Sequence, residues 1–186
     1  MNKNTRFIVE AGIMLALGFV LSQFKLFEMP LGGSVTAGSM IPLLFIAYRW
    51  GIVRGVLVGI IHGLLQMQFG GYVIGFVQGM LDYPLAFGAV GLAGLASTKL
   101  MEKFNVKSVV IAIIGAIIGF SVRYSCHLVS GAIFFEEYAG DKNPWIHSLE
   151  YNAFLIPELI IAIVILTLIW VPVTNRLPQY SNKKNS

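Results

Sequence analysis

The chain predicts an all-α integral membrane protein, a bundle of six transmembrane helices with both termini in the cytoplasm. Three observations predict it. Of its 186 residues 56% are hydrophobic and only 12% charged, and the mean hydropathy is +0.77. A soluble domain carries about a quarter charged residues, so too little polar surface is left here to face water. Six apolar runs follow one another with short polar or glycine-rich breaks between them, and lysine and arginine collect on alternate breaks.

The first apolar segment runs over about 7–24. Its basic start resembles a signal peptide, but no small-x-small cleavage site and soluble domain follow, so it reads as the first membrane helix. A loop over about 25–38 carries the breakers Pro30 and Gly32-Gly33. The second segment, SMIPLLFIAYRW, ends at a tight basic turn, Gly51-Ile52-Val53-Arg54, and the third covers about 54–69. Both are shorter than the ~20 residues that cross a bilayer, which is tolerable for helices that are buried or end in a cavity. Gly70-Gly71 breaks the chain before the fourth, about 72–97; the polar loop TKLMEKFNVK precedes the fifth, about 108–134; EEYAGDKNP precedes the sixth, about 146–172. Residues 1–175 thus form one membrane domain, and 176–186 are a polar cytoplasmic tail.

Lys3, Arg6, Arg49, Arg54, Lys99, Lys103, Lys107, Arg176, Lys183 and Lys184 fall on one side, and Lys25 and Lys142 on the other. The bias puts both termini inside and loops 25–38, 69–71 and 135–145 outside. Topology therefore accounts for the net charge of +4, and nucleic-acid binding is excluded. The single cysteine, Cys126, forms no intrachain disulfide and reads as packing.

Three polar sets interrupt the apolar runs: Tyr72 with Asp82 and Tyr83; Arg123, Tyr124 and His127; and Ser148, Glu150, Tyr151, Asn152 and Glu158. A carboxylate at bilayer depth needs a cation or a watery pocket. At 100° per residue Asp82 shares a stripe with Gly75, Gly79 and Ala86; Arg123, His127, Gly131 and Phe134 share a face; so do Ser148, Tyr151, Asn152 and Leu155. Converging, these faces line one polar cavity in the outer half of the bundle, suited to a small, flat, cationic molecule. Each residue also has a structural reading. Asp82 either contacts ligand or pairs with Arg123, Arg123 is counter-ion or packing, and His127 is ligand-binding or a satisfied core histidine. Glu158 is site, ion pair or protonated packing. His62 reads as a helix–helix hydrogen bond, and Glu10 as interfacial.

The chain has no GxxxxGK[ST] phosphate loop, no HExxH and no metal-ligand spacing, and Ser121 and Ser130 have no evident base. ATP use, a metal and catalysis are set aside. Gly12 and Ala16, four apart, make a small-xxx-small surface that serves either internal packing or another helix.

The blocks EAGIMLALGF, GGSVTAGSMIPLLFIAYRWG, LDYPLAFGAVGLAG, RYSCHLVSGAIFF and PWIHSLEYNA, in this order over residues 6–172, resemble the thiamine-specific S components of energy-coupling factor vitamin transporters. The resemblance implies a multi-pass protein of the prokaryotic cell membrane, a thiamine site near the outer face, and docking on a transmembrane coupling subunit driven by two ATPases. No cofactor is implied, and ATP is used only by those partners. It assigns ligand contact to Asp82-Tyr83 (where glutamate is common), Tyr72, His127, Gly131 and Asn152, with Ser148 and Tyr151 beside them, and docking to Gly12 and Ala16. Phe135 stands where the family has a stacking tryptophan, His147 where it has a tyrosine, and Gly33 near a further tryptophan; Phe27 or Trp145 could supply that last stack. Thiamine joins a flat aminopyrimidine to a cationic thiazolium, which a carboxylate and aromatic faces suit. Another small aromatic or cationic vitamin, a self-sufficient secondary transporter and a membrane enzyme are the competing readings.

Overall fold

The first helix, α1 (Lys3–Ser22), starts where Asn2 caps it by accepting the Asn4 N–H at 3.3 Å. The computed structural model describes residues 2–96 and 106–176. The basic-loop residues Lys99 and Lys103 and the tail from residue 177, with Lys183 and Lys184, lie outside the described residues.

The stretch expected to be a plain loop after α1 is instead an antiparallel hairpin, β1 (Lys25–Glu28) and β2 (Ser34–Thr36), pairing Phe27 with Val35 and Glu28 with Ser34. Pro30 and Gly32, whose φ is +95°, make its turn rather than leave it irregular. Helices α2 (Ile41–Trp50) and α3 (Ile52–Gln68) meet at Gly51, whose φ of +85° no L side chain adopts readily.

The fourth segment begins later than its hydropathy predicts. Residues 71–75 are not helical, and α4 (Phe76–Met80) starts after Gly75. Gln78, the third residue of the helix, reaches back past Gly75 to accept the Ile74 N–H at 3.0 Å and so anchors the chain entering the helix. A π-turn (Leu81–Leu85) follows, then α5 (Ala86–Val90) and a 3-10 turn (Gly91–Ala96), completing one rod over Phe76–Ala96. Pro84 has no N–H and its ring crowds the carbonyl four residues back, and the wider turn absorbs that. The regular stripe Gly75–Gly79–Asp82–Ala86 is therefore broken: Gly75 precedes the helix and the π-turn shifts its phase.

Helix α6 (Val106–Phe134) leads through a 3-10 turn (Glu136–Ala139) to α7 (Pro144–Tyr151), capped by the Asn143 side chain. A second 3-10 turn (Asn152–Phe154) joins α7 to α8 (Leu155–Arg176). Among the described residues four stretches are long and apolar enough to cross a membrane: Lys3–Ser22, Phe76–Ala96, Lys107–Phe134 and Pro144–Ile169; α2 and α3 are shorter. The outward faces carry Ile8, Ile13, Leu17, Leu57, Ile61, Ile114, Ile160 and Val164, all exposed. An apolar exterior of this kind suits lipid and marks a multi-pass membrane protein.

Close packing comes from glycine. On α3, Gly55, Gly59 and Gly63 recur every four residues, and a Cβ on Gly55 would lie 3.1 Å from the Gly91 carbonyl oxygen. Gly59 lies against the Phe87 backbone and Gly63 against that of Tyr83. These contacts draw α3 onto the rod that carries Asp82, as small-xxx-small packing does between membrane helices. The main core gathers Leu43, Leu44, Tyr48, Val90, Ala116 and Leu166, with the Tyr48 hydroxyl donating to the Ala112 carbonyl at 2.7 Å. At one end of the molecule Glu10 accepts from Arg6, Arg49 and Trp50. The hairpin and a cavity occupy the other end.

Candidate functional site

The cavity, about 160 Å³, lies between the hairpin, residues 66–72, the α4–α5 rod, the second half of α6 and the α7–α8 junction. It gathers Asp82, Tyr83, Tyr72, His127, Gly131, Phe135, His147, Ser148, Tyr151 and Asn152. Trp145, of the same predicted set, is 50% exposed on α7 and not on its lining. Gly12 and Ala16 lie on the exposed face of α1, and a Cβ at Gly12 would meet nothing within 4 Å.

Asp82 is held on the π-turn by three donors. Gln78 Nε2 and Ser130 Oγ donate to Oδ2 at 2.7 and 2.8 Å, and His127 Nδ1 lies 2.9 Å from Oδ1. The expected alternative of an Asp82–Arg123 pair does not form. Arg123 reaches Glu158 instead, Nη1 to Oε2 at 3.0 Å, with both side chains buried. Thr36 Oγ1 donates to the other Glu158 oxygen at 3.1 Å, and the Arg123 guanidinium sits over the Phe87 ring at 4.5 Å. Glu158 is thus the ion-pair reading made concrete. The pair also ties α6 and α8 to β2 at the cavity wall.

His127 has a defined polarity. The Asp82 carboxylate only accepts, so Nδ1 is the donor in this bond, which leaves Nε2 as the ring's other polar atom. That Nε2 is buried and has no hydrogen-bond partner among the described residues. His62, by contrast, is fully buried away from the lining and bonds Gln66 one turn on at 3.2 Å; Gln66 in turn donates to Ser22 of α1 at 2.6 Å. The helix-to-helix link expected of His62 is made through Gln66.

Gly131 lets α6 and α7 approach. A Cβ there would overlap the Ser148 hydroxyl and lie 3.4 Å from Asn152 Nδ2. Ser148 donates to the Leu128 carbonyl at 2.8 Å, and Asn152 Nδ2 donates to the Ser148 and His127 carbonyls at 2.9 and 3.3 Å. Tyr83 accepts the Tyr72 N–H at 2.7 Å, fixing the strand-like stretch before α4. Tyr151 accepts the Leu31 N–H at 2.9 Å, fastening the hairpin turn over the cavity. Outside the spans, the hydrogen bond shared between the Tyr138 and Tyr72 hydroxyls raises the pKa of Tyr138.

The aromatic wall differs from expectation at one place. Phe27 and Trp145 both face outward, at 57% and 50% exposure, and supply no stack. Phe154 does line the cavity, with its ring 6.3 Å from His127 and edge-on to Tyr151 at 6.4 Å. Glycine at 33 makes this possible: a Cβ there would lie 2.6 Å from Phe154 Cε1. Tyr72 and Phe135 form the opposite wall, 6.0 Å apart. At the end of α6 the lining residue is Phe135, just past the helix, and not Phe134; on the last segment Leu155 is core while Phe154 of the 3-10 turn and Glu158 of α8 line the cavity. Sequence reasoning also missed Gln78. Its spacing of four from Asp82 on a helix was the available signal; Phe154 gave none.

Chemically, the cavity offers one carboxylate, one unpartnered imidazole nitrogen, aromatic faces and amide and hydroxyl groups. Its other charges are paired, Arg123 with Glu158 and Lys25 with Glu28. No group of three metal-ligating side chains occurs among the described residues.

A family model described as thiamine transporter protein matches residues 8–177. The thiamine transporter ThiT of Bacillus subtilis is 36% identical over 172 residues, 88% of this chain and 89% of that protein. ThiT of Lacticaseibacillus paracasei is 34% identical over 122 residues, 61% of each chain. A solved structure of ThiT from Listeria monocytogenes superposes with a TM-score of 0.79 at 27% identity, covering 93% of this chain and 98% of that one.

Proposed function

Because the chain belongs to the thiamine transporter protein family, we propose that it is the thiamine-binding membrane subunit of an energy-coupling factor transporter. It captures vitamin B1 outside and passes it inward with a coupling subunit driven by two ATPases. Asp82 carries this reading. Its carboxylate is the one acidic group on the cavity lining not paired with lysine or arginine, and Tyr72, Phe135, Tyr151 and Phe154 wall the same space.

A cation 4 Å from a carboxylate gains about 4 kcal/mol at an effective dielectric near 20. Each aromatic face adds about 0.5–2 kcal/mol when desolvated. Thiazolium supplies the cation, and the aminopyrimidine supplies an amine that the His127 Nε2 lone pair can accept. The neighbouring imidazole must stay neutral for this, since an imidazolium would repel the ligand.

The six apolar stretches are read as six spans with both termini inside and the cavity outside. Short α2 and α3 fit this because each has one end on the cavity: Met40 precedes α2 and Phe69 follows α3, and both line it. The chain holds no nucleotide-binding motif, so energy enters through partners, and the exposed Gly12–Ala16 face of α1 is where they dock. No cofactor takes part.

Purified protein in liposomes tests the assignment. We expect one thiamine per chain, recovered unaltered, and no uptake until the coupling subunit, ATPases and ATP are added. Unaided accumulation inside the vesicles would instead make the chain a self-sufficient transporter.

A further inference from the structure

Gln78 is 1% exposed, and its amide is shared among three partners. Oε1 accepts the Ile74 N–H at 3.0 Å, while Nε2 donates to the Tyr72 carbonyl at 3.2 Å and to Asp82 Oδ2 at 2.7 Å. Only one orientation satisfies all three, because a flipped amide would set its oxygen against a carboxylate and a carbonyl. Gln78 therefore joins the carboxylate to the non-helical stretch 71–75 that brings Tyr72 to the cavity. Oδ2 of Asp82, taking both Gln78 and Ser130, has its two acceptor positions filled. Oδ1 takes His127 alone and keeps one position open.

We propose, resting on the reading of the cavity as a thiamine site, that Gln78 is a positioning residue for ligand binding. It turns Asp82 so that Oδ1 meets the ligand, and it pins the 71–75 stretch, with Tyr72, to the same centre. Without it the carboxylate rotates and the stretch loosens, and the ligand must order both on binding.

The test is a double-mutant cycle of Gln78→Met, close in volume but without a donor, with Asp82→Asn, reading thiamine Kd by calorimetry. Gln78→Met alone weakens binding about tenfold, the scale of one charge-assisted hydrogen bond. On the Asp82→Asn background its effect shrinks to about threefold or less, since residues sharing one network are not additive. Equal factors on the two backgrounds mean that Gln78 only supports the fold, and overturn the proposal. A nitroxide at position 73 gives a readout independent of binding: its mobility rises in Gln78→Met and is unchanged in Asp82→Asn. Unchanged mobility in Gln78→Met contradicts the tie. If Gln78→Met does not fold, Gln78→Asn, one methylene too short to reach Asp82, enters the same cycle. The wild-type titration separates two failures: no thiamine binding removes the reading of the cavity, whereas normal wild-type binding with equal mutant losses removes the role of Gln78 alone.

Discussion

His127 illustrates how single residues set the chemistry of the site: one ring nitrogen faces Asp82 and the other is buried without a hydrogen-bond partner among the described residues. His127→Ala removes that nitrogen and one support of Asp82, and should weaken thiamine binding about tenfold. Asn152→Ala should also weaken it, because Asn152 holds Ser148 and the His127 backbone in place. His62→Ala should leave affinity near wild type and lower the thermal midpoint instead, since His62 is buried off the lining. Calorimetric titration of the three variants checks this, and a His62 loss as large as that of His127 would misplace the pocket. Much at this scale was legible in the sequence, because a polar side chain inside an apolar run advertises itself. Asp82, His127 and Asn152 did so. The partner of Arg123 did not: which of two acids it meets depends on how α6 packs against the α4–α5 rod and α8, and one-dimensional spacing does not hold that information. Phe154 looked like any apolar residue until the 3-10 turn rotated it inward.

Among the elements, the hairpin matters most for access. It was legible as a break but not as paired strands, since only seven residues form it and two exposed β1 positions, Leu26 and Phe27, carry no burial alternation. The late start of α4 was likewise hidden, because Val73 and Ile74 are as apolar as the helix that follows. We expect the hairpin to act as the outer lid, fastened by Tyr151 to Leu31 and by Phe154 beneath Gly33. Tyr151→Phe loses the Leu31 acceptor, and Gly33→Ala drives a methyl group into the Phe154 ring. Each should speed thiamine release several-fold, with one neutral hydrogen bond worth about 1 kcal/mol. Stopped-flow release rates, with a spin label at residue 31, measure both effects. A label equally mobile with and without saturating thiamine would argue against a lid.

At the scale of the whole molecule, the proposed function calls on two separate surfaces: a polar cavity at the hairpin end for the ligand and an exposed small-residue face along α1 for the partner. The membrane class was legible from composition and hydropathy alone, and so were the four long apolar stretches and the shorter α2 and α3 of the described residues. The glycine ladder of α3 stands in the sequence as plainly as Gly12 and Ala16, but spacing alone does not say that the ladder packs inside while Gly12 meets nothing within 4 Å and Ala16 is exposed. Gly12→Trp or Ala16→Trp should leave thiamine binding to the isolated subunit unchanged while cutting cellular uptake and co-purification with the ATPase module at least tenfold. Normal uptake by both variants would move the docking surface elsewhere. The central claim is that this cavity binds the thiamine cation through Asp82. No tryptophan among the described residues lines it, so calorimetry is a better probe than intrinsic fluorescence. The decisive measurement is titration of the purified wild-type protein and Asp82→Asn with thiamine. The account predicts saturation at one thiamine per wild-type chain and at least tenfold weaker binding, about 1.4 kcal/mol, for Asp82→Asn. A folded Asp82→Asn protein that binds thiamine as tightly as wild type would contradict it.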